Sequence, residues 1–110
     1  MKKKNIWLSY DLGIKGDYPG LYRWLDMRNA KECGTSVAHL SFEYLSDFLK
    51  ELIEDLKKDV ELKNDDRIYA VYRRKDDDEK LSTVGKFIIG NRKASPWEGY
   101  APLDEDLLDE

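Results

Sequence analysis

The chain has 110 residues, 41% of them apolar and 38% charged, enough for one buried core and too few for two. A lone Cys33 excludes an internal disulfide and a multi-cysteine zinc site, which fits a reducing, cytoplasmic setting. The formal charge of −4 comes from residues 103–110, which hold five acids and no base, so the remainder carries 19 bases against 18 acids. A folded part so nearly neutral argues against avid, sequence-independent nucleic-acid binding, although it leaves room for a local basic patch.

Lys2-Lys3-Lys4 before Ile6-Trp7-Leu8 superficially resembles a signal peptide, but Ser9 and Asp11 break the apolar run, and no other stretch is long enough to span a bilayer. Ile6, Leu8, Tyr10 and Leu12 alternate with Trp7, Ser9 and Asp11, the two-residue period of a strand with one face on a core. That strand ends at the Asp11 carboxylate, beside a loop containing Gly13 and Gly16. Asp17 is placed to N-cap a helix with Pro19 in its first turn. Tyr18, Leu21, Tyr22, Trp24 and Leu25 then form a stripe of helical period running to about Ala30, a core-facing pattern, and Gly34 stops it.

From Thr35 to Tyr44 the period returns to two. Ala38, Leu40, Phe42 and Tyr44 make an apolar face, and Val37, His39, Ser41 and Glu43 a mostly polar one, as expected of a sheet covered on one side. Ser46 is expected to cap a second helix, in which Phe48, Leu49, Leu52, Ile53, Leu56 and Val60 recur at helical spacing opposite a charged, solvated face. Lys63 to Asp66 reads as a turn. Two strands follow, Arg67 to Arg74 and Val84 to Asn91, joined by the charged loop Lys75 to Lys80, which lacks the spacing and glycine of a calcium loop. The order strand, helix, strand, helix, strand, strand predicts an α+β two-layer sandwich of ferredoxin-like type, an antiparallel sheet with both helices on one face. Residues 1–93 would form this domain. Residues 94–110 would be an irregular arm, with Trp97 and Tyr100 able to reach a second subunit and an acidic, mobile end.

Candidate chemistry is sparse. Asp11 is the one acid placed at a sheet rim, where it could hold a metal or simply accept backbone N–H bonds in a loop. His39 is the only side chain whose ordinary pKa lies near neutrality; it could serve in acid–base work beside Ser41 and Glu43 or be packed at an interface. Nothing places Cys33 beside a base, so a thiol nucleophile is discounted. Arg67, Arg73, Arg74, Lys75, Lys86, Arg92 and Lys93 gather near the last two strands, with Tyr69 and Tyr72 interleaved. They read either as a phosphate-contacting surface with stacking platforms or as charges that keep a sheet edge from pairing.

Tyr10-Asp11 closing the first strand, the long strand Thr35 to Tyr44 running into a helix, and Asp65-Asp66-Arg67-Ile68-Tyr69-Ala70-Val71 together resemble the small CRISPR-associated adaptation protein family. Ser9-Tyr10-Asp11-Leu12 with Asp17-Tyr18 and Leu21-Tyr22 is similar to its SinR-like relatives, which include virulence-associated protein D and toxin or antitoxin ribonucleases. The resemblance spans residues 5–91. It implies a homodimer in which Asp11 faces its twin, two such carboxylates holding a Mg²⁺, and residues 94–101 extending the partner's sheet. The sequence departs from that pattern where Leu12 to Gly16 intervene before Asp17. With no complete catalytic set visible, the leading expectation is a non-catalytic binding or regulatory dimer, antitoxin-like or a phage- or defence-associated inhibitor, acting on a protein partner. The alternatives are a Mg²⁺-dependent endoribonuclease and a nucleic-acid-binding structural adaptor.

Overall fold

The computed structural model of the protein describes residues 1–102. Five strands, β1 (Lys2–Asp11), β2 (Lys31–Gly34), β3 (Val37–Tyr44), β4 (Arg67–Lys75) and β5 (Leu81–Ile89), and two helices, α1 (Tyr18–Met27) and α2 (Phe48–Asp59), follow in the order β1-α1-β2-β3-α2-β4-β5. The strands form one sheet in the spatial order β2-β3-β1-β4-β5, and every neighbouring pair is antiparallel. The architecture is an α+β two-layer sandwich. No helix among the described residues is long and apolar enough to cross a membrane.

Alternation decides which side of the sheet the helices cover. Ile6 and Leu8 of β1, Ala38, Leu40 and Phe42 of β3, and Ile68, Ala70 and Tyr72 of β4 point to one side and are buried with Leu21, Trp24 and Leu25 of α1 and Phe48, Leu52 and Leu56 of α2 in one cluster. Each such large apolar side chain contributes about 1.5–3 kcal/mol by leaving water. Trp24 is fully buried, and its indole N–H donates to Asp55 Oδ2 at 3.0 Å. Arg28 closes the group by pairing with the same carboxylate and lying 4.3 Å from the indole centroid, so the one polar atom of this core tryptophan is satisfied.

Four sequence-based boundaries move and one strand is added. Helix α1 ends at Met27 rather than near Ala30, because Asn29 takes a left-handed φ of 54° while its N–H bonds to Asp26 O and that of Ala30 to Leu25 O. These two bonds satisfy the last carbonyls of the helix, and asparagine tolerates that backbone. The residues released form β2, which the expected order lacked; it lies beside β3 through Lys31↔His39, Glu32↔Ala38 and Gly34↔Val37. Strand β3 accordingly starts at Val37 rather than Thr35. At α2 the cap is Asp47, not Ser46: its side chain accepts from Lys50 N, while Glu51 reaches back to the N–H groups of Leu45, Ser46 and Asp47, a capping arrangement that fills more free donors than Ser46 could. Strand β5 begins at Leu81 rather than Val84, paired with Lys75.

Candidate functional site

Among the described residues no helix covers the other side of the sheet. Register places His39, Trp7, Val71 and Gly85 in one row across β3, β1, β4 and β5, and Val37, Ser9, Tyr69 and Phe87 in the next. Trp7 and His39, directly opposed on the two central strands, have ring centroids 4.8 Å apart, tilted by 46°. Tyr69 and Phe87 meet edge-to-face at 4.9 Å. Cross-strand aromatic pairs of this kind stabilise a sheet by roughly 0.2–1 kcal/mol. Gly85 makes the second pair possible: a Cβ there would overlap the Tyr69 ring and hydroxyl, so the missing side chain is the space in which the tyrosine lies flat across β5. Trp7 nevertheless stays 41% exposed, an indole presented on a face that mixes aromatic, aliphatic and polar side chains.

Asp11 and Arg67 close this face at one end, facing each other across β1 and β4. Arg67 donates to Asp11 Oδ2 at 2.6 Å, and its guanidinium carbon lies 5.8 Å from the Phe87 centroid. Its Nε–H is buried without an acceptor among the described residues. Within one protomer the Asp11 carboxylate pairs with Arg67 through Oδ2, and no group of three His, Cys, Asp or Glu side chains placed to hold a metal occurs among the described residues.

His39 stands against Trp7, not Glu43; Glu43 instead lies 3.6 Å from Lys3 Nζ. The sheet also divides the basic residues. Arg67 and Arg73 share the open face with Lys3, Lys31 and Lys75, whereas Arg74, opposite Ser82, and Lys86, opposite Ala70, point to the helix side. Arg92 and Lys93 lie in the coil after β5. The open face thus carries five bases against two acids, Asp11 and Glu43. Tyr69 is on it; Tyr72 is not, being buried at 3% exposure, where desolvation pushes its hydroxyl pKa up. Trp7 and Phe87 are the members that sequence reasoning passed over. An indole alternating with Ile6 and Leu8 was a visible signal, since an aromatic on the polar side of a half-covered strand needs a reason.

Other acids are structural fasteners. The Asp17 carboxylate accepts from Gly20 N at 3.0 Å and from Glu61 N at 2.9 Å, and those two N–H groups hold its pKa below the ordinary carboxylate value. Asp66, 1% exposed, accepts from Gly13 N and Lys63 N and so ties the β1–α1 loop to the turn before β4. Beyond the reach of β2, the outer edge of β3 forms the floor of an open cleft of about 870 Å³ bordered by Met27, Arg28, Glu54 and Lys58, a mixed-charge rim without a dominant chemistry. Cys33 is exposed and unpaired with any other cysteine.

After Ile89 the described chain is coil with a turn at 96–99, where Glu98 N bonds to Ser95 O and Tyr100 N to Trp97 O. Trp97 and Tyr100 are 71% and 83% exposed. The acidic stretch 103–110, expected to be mobile, lies outside the described residues. Comparison with protein-family models, with curated proteins and with solved structures yields no match.

Proposed function

We propose that this chain is a non-catalytic binding module on a ferredoxin-like scaffold, and that it lays single-stranded nucleic acid across the open face of its sheet. The observation that carries this reading is the opposed Trp7–His39 pair on the two central strands, one row from the Tyr69–Phe87 pair. The ferredoxin-like part is supported by the repeated β1-α1-β2 and β3-α2-β4 units and by β1 and β3 lying side by side inside the sheet. Small sheet modules that read single-stranded RNA stack two or three bases on aromatic side chains of a four-stranded sheet. Each stacked base is worth about 1–3 kcal/mol and is tolerant of sequence. Arg67, Arg73, Lys31 and Lys75 border the rings, at the positions where phosphates of an extended strand would pass. A face that also holds two acids makes only three or four such contacts. Affinity should therefore be modest, with log K falling against log salt at a slope of about −2 to −3.

The same residues argue against the endonuclease alternative within one chain, since Asp11 is already claimed by Arg67. A homodimer built through Asp11 would first have to displace that arginine.

The test is fluorescence anisotropy of a labelled twelve-nucleotide oligouridylate at 50 mM salt. Trp7→Ala and Tyr69→Ala should each weaken binding by about tenfold, the share of one stacked base. Circular dichroism should be unchanged, because Trp7 is not part of the core. Equal affinity of wild type and both variants, or no binding by the wild type, would overturn the reading, and in the second case a protein partner on this face takes its place.

A further inference from the structure

A second, smaller hollow lies on the helix side of the sheet, at the corner where the end of α1 meets β1 and β2. Its volume is about 220 Å³, below the roughly 300–1,000 Å³ of pockets that enclose a whole small molecule, so it suits a head group or a single side chain. Two tyrosine rings form its walls. Tyr10 of β1 is buried and Tyr22 of α1 is half-exposed; their centroids are 6.4 Å apart and their planes stand at 74°. Tyr18 backs the Tyr22 ring at 5.6 Å and is itself tied by its hydroxyl to the Leu12 backbone. Leu25 and Ala38 line the pocket from the core cluster.

The charge at this corner is negative. Asp26 and Glu32 border the pocket. Both are exposed, and neither takes part in an ion pair among the described residues. Asp26 follows Tyr22 by one turn, in the last turn of a helix that holds no base there, so its charge adds to the negative end of the helix dipole instead of offsetting it. Glu32 is opposite Ala38, which directs it to the helix side. The nearby bases are turned elsewhere. Lys31, the one base in the lining, is opposite His39 and belongs to the open face; Arg28 pairs with Asp55; Arg23 acts on Asp17 at the start of the helix. The Tyr10 hydroxyl registers these surroundings: burial first, then the Tyr22 and Tyr18 hydroxyls and the Glu32 carboxylate, push its pKa up.

Two carboxylates joined by no third His, Cys, Asp or Glu among the described residues serve a hard metal ion poorly. A bare ammonium would lose water against Leu25 and Ala38, whose side chains offer it no acceptor. A methylated ammonium has fewer hydrogen bonds to lose, fills an apolar corner with its methyl groups and keeps its charge for the ring faces and the acids.

We propose that this corner binds a methylated ammonium head group, held against the Tyr10 and Tyr22 rings and balanced by Asp26 and Glu32. The site is independent of the nucleic-acid reading, because it lies on the other side of the sheet and shares no residue with the Trp7–His39 or Tyr69–Phe87 pair. A free amine of choline type and a trimethylated lysine of a polypeptide present the same group.

The test is an amide NMR titration of the full-length protein with choline, with its uncharged carbon isostere dimethylbutanol, and with a short peptide carrying trimethyllysine. Choline should shift the amides of Asp26, Ala30 and Glu32 saturably, with a Kd of about millimolar order, while those of Trp7 and Val71 stay fixed. The neutral alcohol should bind about tenfold more weakly, because the attraction of the rings and acids for charge is lost. Tyr22→Leu should weaken choline binding about tenfold. Glu32→Gln, at an exposed position that leaves α1 untouched, should weaken it about threefold. Equal binding of choline and the alcohol overturns the proposal, as does choline binding that both variants leave unchanged. Absence of saturable shifts with choline and peptide alike, up to about 50 mM, overturns it too. A peptide that binds about tenfold more tightly than choline supports the proposal with a polypeptide as the source, and equal affinities support it with a free amine.

Discussion

The two faces of the sheet are made from the same strands and obey opposite rules. On the covered side, Ile6, Leu8, Ile68 and Ala70 are fully buried, in one cluster with the apolar side chains of both helices. On the open side their sequence neighbours Trp7 and Tyr69 each lean on one ring of an adjacent strand, His39 and Phe87, and with Val71 are left partly in water. A change on the first face is therefore felt as lost stability, and a change on the second as lost binding. Residues adjacent in the chain should differ completely in phenotype.

The sharpest way to break that comparison is Leu8→Ala beside Trp7→Ala. Leu8→Ala should cost about 2–5 kcal/mol of unfolding free energy in urea, the range for emptying a closed core site, whereas Trp7→Ala should cost under about 1 kcal/mol because only a cross-strand pair is lost. Equal destabilisation by the two would mean that the open face is covered in solution. Gly85→Ala comes next. The new methyl group would push the Tyr69 ring off β5 and separate it from Phe87, with an expected cost of about 1–2 kcal/mol; Gly85→Ala combined with Tyr69→Ala should recover most of it, and a failure to recover would show that the glycine serves the backbone instead.

Acid should loosen the helix layer before the sheet face is affected. The Asp17 and Glu51 carboxylates are both held below their ordinary pKa by backbone N–H donors, so the unfolded chain binds more protons and the stabilisation is present above the ordinary carboxylate range. It is lost as pH falls through the lowered values. The thermal midpoint should decline from about pH 5 downward, and Asp17→Asn or Glu51→Gln should flatten that decline; an unaltered profile in both variants would assign acid sensitivity elsewhere. The smallest effect belongs to Asp11→Asn. An ion pair this exposed on the acid's side contributes about 0.5 kcal/mol or less, and releasing Arg67 should raise oligonucleotide affinity about twofold. Loss of a Mg²⁺-dependent cleavage activity in this variant would instead restore the nuclease reading.

Much of the covered face was legible in the chain. The alternations of Ile6 to Leu12 and Ala38 to Tyr44 and the helical stripe of Phe48 to Val60 specify strands and a helix by period alone, because burial on one side imposes that period. Strand β2 left no such mark: Lys31-Glu32-Cys33-Gly34 is exposed at every position and exists because β3 offers it an edge. The site was legible only in its parts. Asp11, His39, Arg67 and Arg73 were singled out, but which of them meet depends on cross-strand register, a property of topology. His39 was matched in sequence with Glu43, two strand steps away on its own strand, and in space with Trp7, 32 residues distant. Arg74 and Lys86 looked like neighbours of Arg73 until alternation turned them to the other side.

Asp17 has a consequence for how the molecule opens. One carboxylate closes the first turn of α1 and, through Glu61 N, the exit of α2, so neither helix can fray at that end without releasing the other. Slow hydrogen exchange at Gly20 and Glu61 should then rise and fall together, and the two-helix layer should detach from the sheet as a single cooperative unit.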